Sequence, residues 1–158
     1  MTAIAVGLAA LLLLLAGYLH GQESGPVVSV ADGDTITVEI NGKKERVRLI
    51  GVDAPEMDDS SPRVRCFAKA ARLFAIDSLA GLTVKLEADP TQANRDRYGR
   101  LLRYVYWHND LFNRFLIKKG FAREYTYDKP YRFQDDFKKA QKYAEESKWG
   151  LWDAHECR

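Results

Sequence analysis

The chain has 158 residues, 46% hydrophobic and 29% charged, which fits one globular domain and leaves no room for a second. Its formal net charge is only +2, from 24 Lys and Arg against 22 Asp and Glu. This balance excludes a polycation that coats DNA non-specifically, so any nucleic-acid contact must come from local basic patches.

An uncharged apolar segment runs from residue 3 to residue 19. It is short for a membrane-spanning helix and long for the core of a signal peptide. We expect it to direct export, and we favour retention as an amino-terminal membrane anchor over cleavage and release, since no clean cleavage site follows it. A buried core helix is the alternative. Residues 1–25 are therefore assigned to this segment and a short linker, and residues 26–158 to the domain.

The two cysteines, Cys66 and Cys157, would meet an oxidising compartment in an exported chain. We therefore predict a disulfide that ties the carboxyl-terminal end to the first helix, with two unpaired thiols as the alternative. The three histidines are scattered along the sequence, and neither cysteine has metal-ligand spacing to one of them. A zinc site is not expected.

The domain opens with strand patterns rich in β-branched residues, and Asn41-Gly42 between two of them is a strong hairpin signal. Apolar spacings of three and four residues then indicate helices that alternate with further strands. Strands are predicted over 27–31, 35–40, 45–52, 82–88 and 101–107, and helices over 64–79, 111–119 and 133–148. This order predicts an α+β fold, mainly β, in which three helices pack around a small five-stranded barrel of the OB type.

Carboxylates stand at two bends of the predicted meander. Asp32 and Asp34 flank a glycine, which by itself is most often only a turn. Asp53 and Glu56 bracket Ala54-Pro55 just past a strand end, where two carboxylates and a free carbonyl could form half the shell of a hard cation such as Ca²⁺. A solvated acidic loop is the alternative.

Two arginines accompany these carboxylates. On the predicted strand, which has a period of two, Arg48 shares a face with Ile50 and Val52 and would point to the barrel side or its mouth, where a charge needs an anionic partner. A structural salt bridge to Asp53 or Glu56 would explain it equally well. Arg100 stands where a polar loop re-enters a strand, within reach of the same mouth. Two guanidiniums could grip a phosphodiester in a planar, forked way.

Three motifs together resemble the thermonuclease, or staphylococcal nuclease, family. The motifs are Asp32-Gly33-Asp34-Thr35, Arg48-Leu49-Ile50-Gly51-Val52-Asp53-Ala54-Pro55-Glu56 and Asp96-Arg97-Tyr98-Gly99-Arg100. The resemblance covers residues 27 to 153 in order and spacing. It implies an OB barrel with three helices and Ca²⁺-dependent hydrolysis of DNA and RNA phosphodiesters that leaves 3′-phosphates.

The resemblance also implies roles for single residues. Asp34, Asp53 and the backbone carbonyl of Ala54 would bind Ca²⁺, with Glu56 joining through a water molecule. Glu56 would orient or deprotonate the attacking water, while Arg48 and Arg100 would hold the scissile phosphate. The residues expected to contact the bound nucleotide end are Arg97, Tyr98, Tyr125 and Tyr127.

This chain departs from the family pattern in the loop from Met57 to Arg63, which is short and carries Asp58 and Asp59 in place of lysines. The departure bears on substrate affinity more than on chemistry. We expect an exported, monomeric enzyme that prefers single strands or frayed ends. A catalytically silent OB module that binds nucleic acid or protein is the alternative, although such a module would need neither Glu56 nor the cation ligands.

Overall fold

A computed structural model describes residues 23–157, which form an α+β fold with a closed five-stranded barrel and three helices. Buried aliphatic side chains fill the barrel, among them Ile36, Val38, Val47 and Leu86. The barrel strands are β1 (Glu23–Asp32), β2 (Thr35–Ile40), β3 (Lys43–Leu49), β5 (Thr83–Glu87) and β6 (Leu101–Trp107).

The barrel closes because β3 pairs with two strands. It lies antiparallel to β2, with Thr35 opposite Arg48 and Thr37 opposite Arg46, and parallel to β6, with Arg48 opposite Leu102. The long strand β1 also pairs with two strands: its first half lies antiparallel to β5 and its second half antiparallel to β2. Three short strands stand outside the barrel: β4 (Val52–Asp53), β7 (Asp110–Leu111) and β8 (Arg123–Glu124).

The three helices are α1 (Pro62–Leu79), α2 (Phe112–Lys118) and α3 (Gln134–Ser147), followed by a short 3₁₀ helix at Gly150–Trp152. Ser61 caps α1 by accepting a hydrogen bond from the N–H of Val64, and a proline occupies the first turn, as expected of a helix start. Each helix buries one apolar stripe, Phe67, Ala71 and Ala75 in α1 for example. The polar faces remain in solvent.

Two strand boundaries differ from the sequence-based expectation by three residues or more. β1 begins at Glu23, not Val27, because residues 23–26 pair with β5, so the end of the expected linker belongs to the sheet. The third strand ends at Leu49, not Val52, because Gly51 adopts a φ of 74° and turns the chain. The apolar segment at residues 3–19 lies outside the described residues.

Cys66 and Cys157 are joined by a disulfide that links the first turns of α1 to the carboxyl-terminal tail. Between Glu23 and Cys157 no helix is both long and apolar enough to cross a bilayer.

Candidate active site

The bend between β1 and β2 is packed tightly against two other elements. A Cβ placed on Gly33 would lie 2.8 Å from the Cβ of Ala54 and 2.9 Å from that of Ala71, closer than such atoms approach. Glycine therefore lets the bend sit directly on the loop after β4 and on α1. This contact brings the Asp32-Gly33-Asp34 bend to the Asp53-Ala54 segment.

Asp34 is buried where these segments meet, with 2% of its surface exposed. Its Oδ2 accepts a hydrogen bond of 2.7 Å from the backbone N–H of Ala54 and lies 3.0 Å from Nη2 of Arg48. Burial, together with a smaller effect of the neighbouring Asp32, raises the pKa of Asp34 to about 7, against the opposing effects of Arg48 and of the Ala54 N–H. The site therefore holds a carboxylate for which solvent supplies little stabilisation.

Arg48 lies on the outer face of β3, opposite to Val47 and Leu49, which point into the core. The expectation that Arg48 shares a face with Ile50 and Val52 was wrong, because the strand ends before those residues. Its guanidinium donates to the carbonyl oxygens of Leu49 and Val52 and lies 3.3 Å from Oδ1 of Asp53. The two alternatives given for Arg48 therefore hold together. Its side chain reaches the mouth of the barrel, and it also forms salt bridges with Asp34 and Asp53.

Arg100 is connected to the carboxylate of Asp34 through the hydroxyl of Thr35. Its Nη1 donates to Oγ1 of Thr35 over 3.3 Å, and that hydroxyl donates to Oδ1 of Asp34 over 3.1 Å. Asp96 holds the other edge of the guanidinium, accepting from Nε over 2.7 Å. Arg100 and Arg48 are therefore connected through Thr35 and Asp34.

Glu56 and Asp53 are exposed beside this pair. Partial burial raises the pKa of Glu56, and the negative charges of Asp32, Asp53 and Asp58 add to the effect while Arg48 opposes it. Glu56 therefore lies within electrostatic reach of both the carboxylates and Arg48, as a group acting next to a phosphate must.

A cavity of about 520 Å³ opens next to Arg48 and Arg100. Three exposed tyrosines line it, with 64% of Tyr98, 44% of Tyr125 and 75% of Tyr127 accessible. Arg97 also lines the cavity and donates to the hydroxyl of Tyr98 over 2.7 Å. All four residues expected at the nucleotide end thus surround one cavity.

Several residues that the sequence analysis left without a role position these groups. Thr35 connects Asp34 to Arg100. Arg95 donates from both terminal nitrogens to the carboxylate of Glu45 on β3, at 2.8 and 3.0 Å, and from Nη1 to the carbonyl of Gly99. This pair fastens the turn that carries Arg100 to β3. Because Glu45 and Arg95 lie far apart in the sequence, no local pattern could have identified this pair.

The donor chemistry of the acidic groups fits a hard cation. Every candidate ligand is an oxygen atom, which Ca²⁺ prefers, and the buried Oδ1 of Asp32 has no hydrogen-bond partner among the described residues. Over residues 23–157, however, no three His, Cys, Asp or Glu side chains converge into a metal-binding cluster. Arg48 instead provides the positive charge next to Asp34 and Asp53.

Comparison with known proteins gives a consistent result. Residues 46–154 match the family model described as staphylococcal nuclease homologue. The chain is 38% identical over 131 residues to a thermonuclease of Staphylococcus hyicus, covering 83% of this chain and 76% of that protein. It is 35% identical over 156 residues to a thermonuclease of Staphylococcus intermedius, covering 91% and 92%. It is also 34% identical over 143 residues to endonuclease YncB of Bacillus subtilis (strain 168), covering 87% and 67%.

Proposed function

This chain belongs to the staphylococcal nuclease family, and we propose that it is a Ca²⁺-dependent nuclease that hydrolyses DNA and RNA phosphodiesters with little sequence specificity, leaving 3′-phosphates. Relatives named as thermonucleases and an endonuclease support the nuclease activity. The observation that carries the proposal is the connection of Arg48 and Arg100 through Asp34 and Thr35. The guanidinium groups of both arginines and the buried carboxylate of Asp34 lie together at the edge of a cavity lined by tyrosines.

The acidic groups would hold the cation. Asp34, Asp53 and the carbonyl of Ala54 are the proposed direct ligands, and Glu56 joins through water. When bound, Ca²⁺ would polarise the phosphoryl oxygens and offset their growing negative charge. The raised pKa of Asp34 reflects a burial cost that such a cation would relieve.

Glu56 is the proposed partner of the attacking water. It orients the water and accepts its proton as the water oxygen bonds to phosphorus, while the bond from phosphorus to the 5′-oxygen breaks and that oxygen takes a proton from solvent. The 3′-phosphate remains on the other fragment. A carboxylate whose pKa is raised is a better base than an ordinary one.

Arg48 and Arg100 would bind the two non-bridging oxygens of the scissile phosphate and stabilise the charge that accumulates on them. Beside them, Tyr98, Tyr125 and Tyr127 offer ring faces on which a base can stack, and every base has such a face. Arg97 supplies a cation at the Tyr98 hydroxyl for a second phosphate. This arrangement favours an unpaired strand of any sequence.

We also propose that the chain is exported and acts as a monomer outside the cytoplasm or at the cell envelope, anchored through residues 3–19. The apolar segment of the sequence and the disulfide between Cys66 and Cys157 support an oxidising compartment.

The test is cleavage of labelled single-stranded DNA, plasmid DNA and RNA by the purified chain, with Ca²⁺ or with a chelator. We expect Ca²⁺-dependent products that end in 3′-phosphate, detected by their resistance to 3′-end extension until a phosphatase removes the phosphate. The matched control is Glu56→Gln, which keeps the shape of the side chain and removes its basicity. Cleavage that persists in chelator would refute the metal requirement. Binding without cleavage would favour the silent OB module.

A further inference from the structure

We propose that the outer face of β3 is a phosphate-binding track, formed by Lys44 and Arg46, that extends the active site and holds the substrate strand beyond the scissile phosphate. The proposal rests on the nuclease function proposed above and adds to it a substrate class: single strands several nucleotides long. The track takes the same ligand chemistry as Arg48, one phosphodiester after another along a polynucleotide.

The pairing register places these cations on one face. Val47 and Leu49 point into the core, so Lys44, Arg46 and Arg48, which alternate with them along the strand, face outward. Their partners on β2 are Glu39, Thr37 and Thr35 respectively. The track therefore continues along the strand from the guanidinium of Arg48, which together with Arg100 forms the proposed phosphate clamp.

The two cations of the track are exposed and, among the described residues, neither has an ion-pair or side-chain hydrogen-bond partner. The neighbouring arginines differ in this respect: Arg95 is paired with Glu45, Arg100 with Asp96 and Arg103 with Glu23. The charges of Lys44 and Arg46 are therefore available to an external anion.

The track is continuous with the clamp. Arg100 enters from the side of β6 and donates to Thr35 on β2, so its side chain crosses the outer face of β3 in the row of Arg48. Arg46 occupies the next row and Lys44 the row after it. Four strand residues span about 13 Å, a length that accommodates one or two further phosphates of an extended strand.

Charge on the two sides of the clamp sets the direction of the strand. Beyond Glu56 the chain presents Asp58 and Asp59, which repel a polyanion. Among the outward-facing residue pairs that β3 forms with β2, the one acidic side chain is Glu39 on β2, which lies opposite Lys44. An anionic strand leaving the clamp is therefore attracted along β3 and repelled from the acidic loop.

The experiment measures binding of fluorescent oligothymidylates of 2 and 12 nucleotides by the full chain in Ca²⁺, with Glu56→Gln present in every variant to prevent cleavage. Affinity is recorded by anisotropy from 50 to 300 mM salt. Each phosphate contact contributes about 0.7 to the slope of log affinity against log salt for single strands. The double variant Lys44→Gln with Arg46→Gln should therefore make the slope for the 12-mer shallower by about 1.4. It should also weaken binding of the 12-mer at least tenfold, with a much smaller effect on the dinucleotide.

The matched control is Lys138→Gln with Lys139→Gln, which removes the same charge from exposed positions on α3. Its slope should stay at the parent value. A reciprocal variant, Glu39→Gln, removes the opposing charge from the track and should tighten binding of the 12-mer. Thermal melting verifies that each variant is folded.

The outcomes separate the two proposals. An equal loss of slope in the α3 control, an unchanged slope in the β3 variant or no gain from Glu39→Gln would overturn the track, even if the unmutated chain cleaves DNA. If the unmutated chain cleaves nothing, the nuclease function fails instead, and the slopes still show whether β3 binds a polynucleotide.

Discussion

Arg48 and Asp34 form an almost enclosed ion pair, in which Nη2 lies 3.0 Å from Oδ2 while the side chains are 15% and 3% exposed. The guanidinium thus compensates a carboxylate that is also a proposed Ca²⁺ ligand. A bound cation would compete with Arg48 for the Asp34 carboxylate, and a bound phosphate would compete with Asp34 for the Arg48 guanidinium. The ion pair therefore joins a proposed metal ligand directly to a proposed phosphate-binding residue.

Replacing either clamp arginine with lysine should abolish most activity while preserving charge. A lysine is a point charge and cannot hold two phosphate oxygens in one plane, so we expect Arg48→Lys and Arg100→Lys each to lower kcat by about 10²–10³. Turnover of single-stranded DNA at saturation measures the effect, with circular dichroism to verify the fold. Near-parental kcat in both variants would show that the phosphate binds elsewhere.

Calcium should raise the melting temperature of the protein, because a ligand that binds only the folded state stabilises it. At a concentration one hundred times Kd the gain is about 2.7 kcal/mol. Calorimetry with Ca²⁺ and with chelator measures it. Asp53→Asn is the control, since this exposed position can lose its charge with little structural cost; a shift of unchanged size in this variant would argue against Asp53 as a ligand.

The pair Glu45 and Arg95 should act on catalysis without touching substrate. Arg95 holds the Gly99 carbonyl just before Arg100, and the hydrogen bond from Arg95 lowers the pKa of Glu45. Because small displacements of a positioning group are costly, we expect Glu45→Gln and Arg95→Gln each to lower kcat about tenfold with little change in KM.

A double-mutant cycle tests the coupling of this pair. The combined variant should be no worse than Arg95→Gln alone, since both changes break the same contact. Fully additive losses in kcat would mean that the two residues act independently.

Asp89 should make stability depend on pH in the acid range. Burial by itself raises the pKa of Asp89, but hydrogen bonds donated by Arg132 N–H, Tyr104 Oη and Thr91 outweigh it and leave the pKa below its ordinary value. A lowered folded-state pKa stabilises the protein above the unfolded-state pKa, near 4, and the stabilisation is lost as pH falls through the folded-state value.

Asp89→Ala should therefore lower the free energy of unfolding by about 3 kcal/mol at neutral pH, through the donors left unpaired, and should flatten the stability profile below pH 4. Urea unfolding between pH 3 and pH 7 measures both effects. A profile with the same acid slope as the parent would assign the acid sensitivity to other carboxylates.

Reduction of the disulfide should destabilise the fold. Its cysteines are 91 positions apart, and for a loop of this size chain-entropy models give roughly 4–5 kcal/mol. Melting of Cys66→Ser with Cys157→Ser, compared with the parent in the presence and absence of reductant, measures the loss. A parent insensitive to reductant, with a melting point equal to that of the variant, would mean that the bond does not form in solution.

Much of this architecture follows from local pattern. The bounds of β2 and β6 agree with the periodicity of their sequences, and the helix bounds differ by at most two residues, because alternation and three-to-four spacing are properties of short segments. The first and third strands were less well predicted. The start of β1 depends on pairing with β5, more than fifty residues away, and the end of β3 depends on the turn at Gly51.

The sequence by itself determined the candidate side chains, since Asp34, Arg48, Asp53, Glu56 and Arg100 all stand in short motifs whose chemistry can be recognised locally. Only the tertiary structure decided how they are connected: that Arg48 faces away from the core, that Thr35 joins Asp34 to Arg100, and that Arg95 and Glu45 hold the turn. The physical reason is that a motif specifies which groups are present, whereas the face of a strand and the partner of a charge depend on pairing register and on contacts between distant segments.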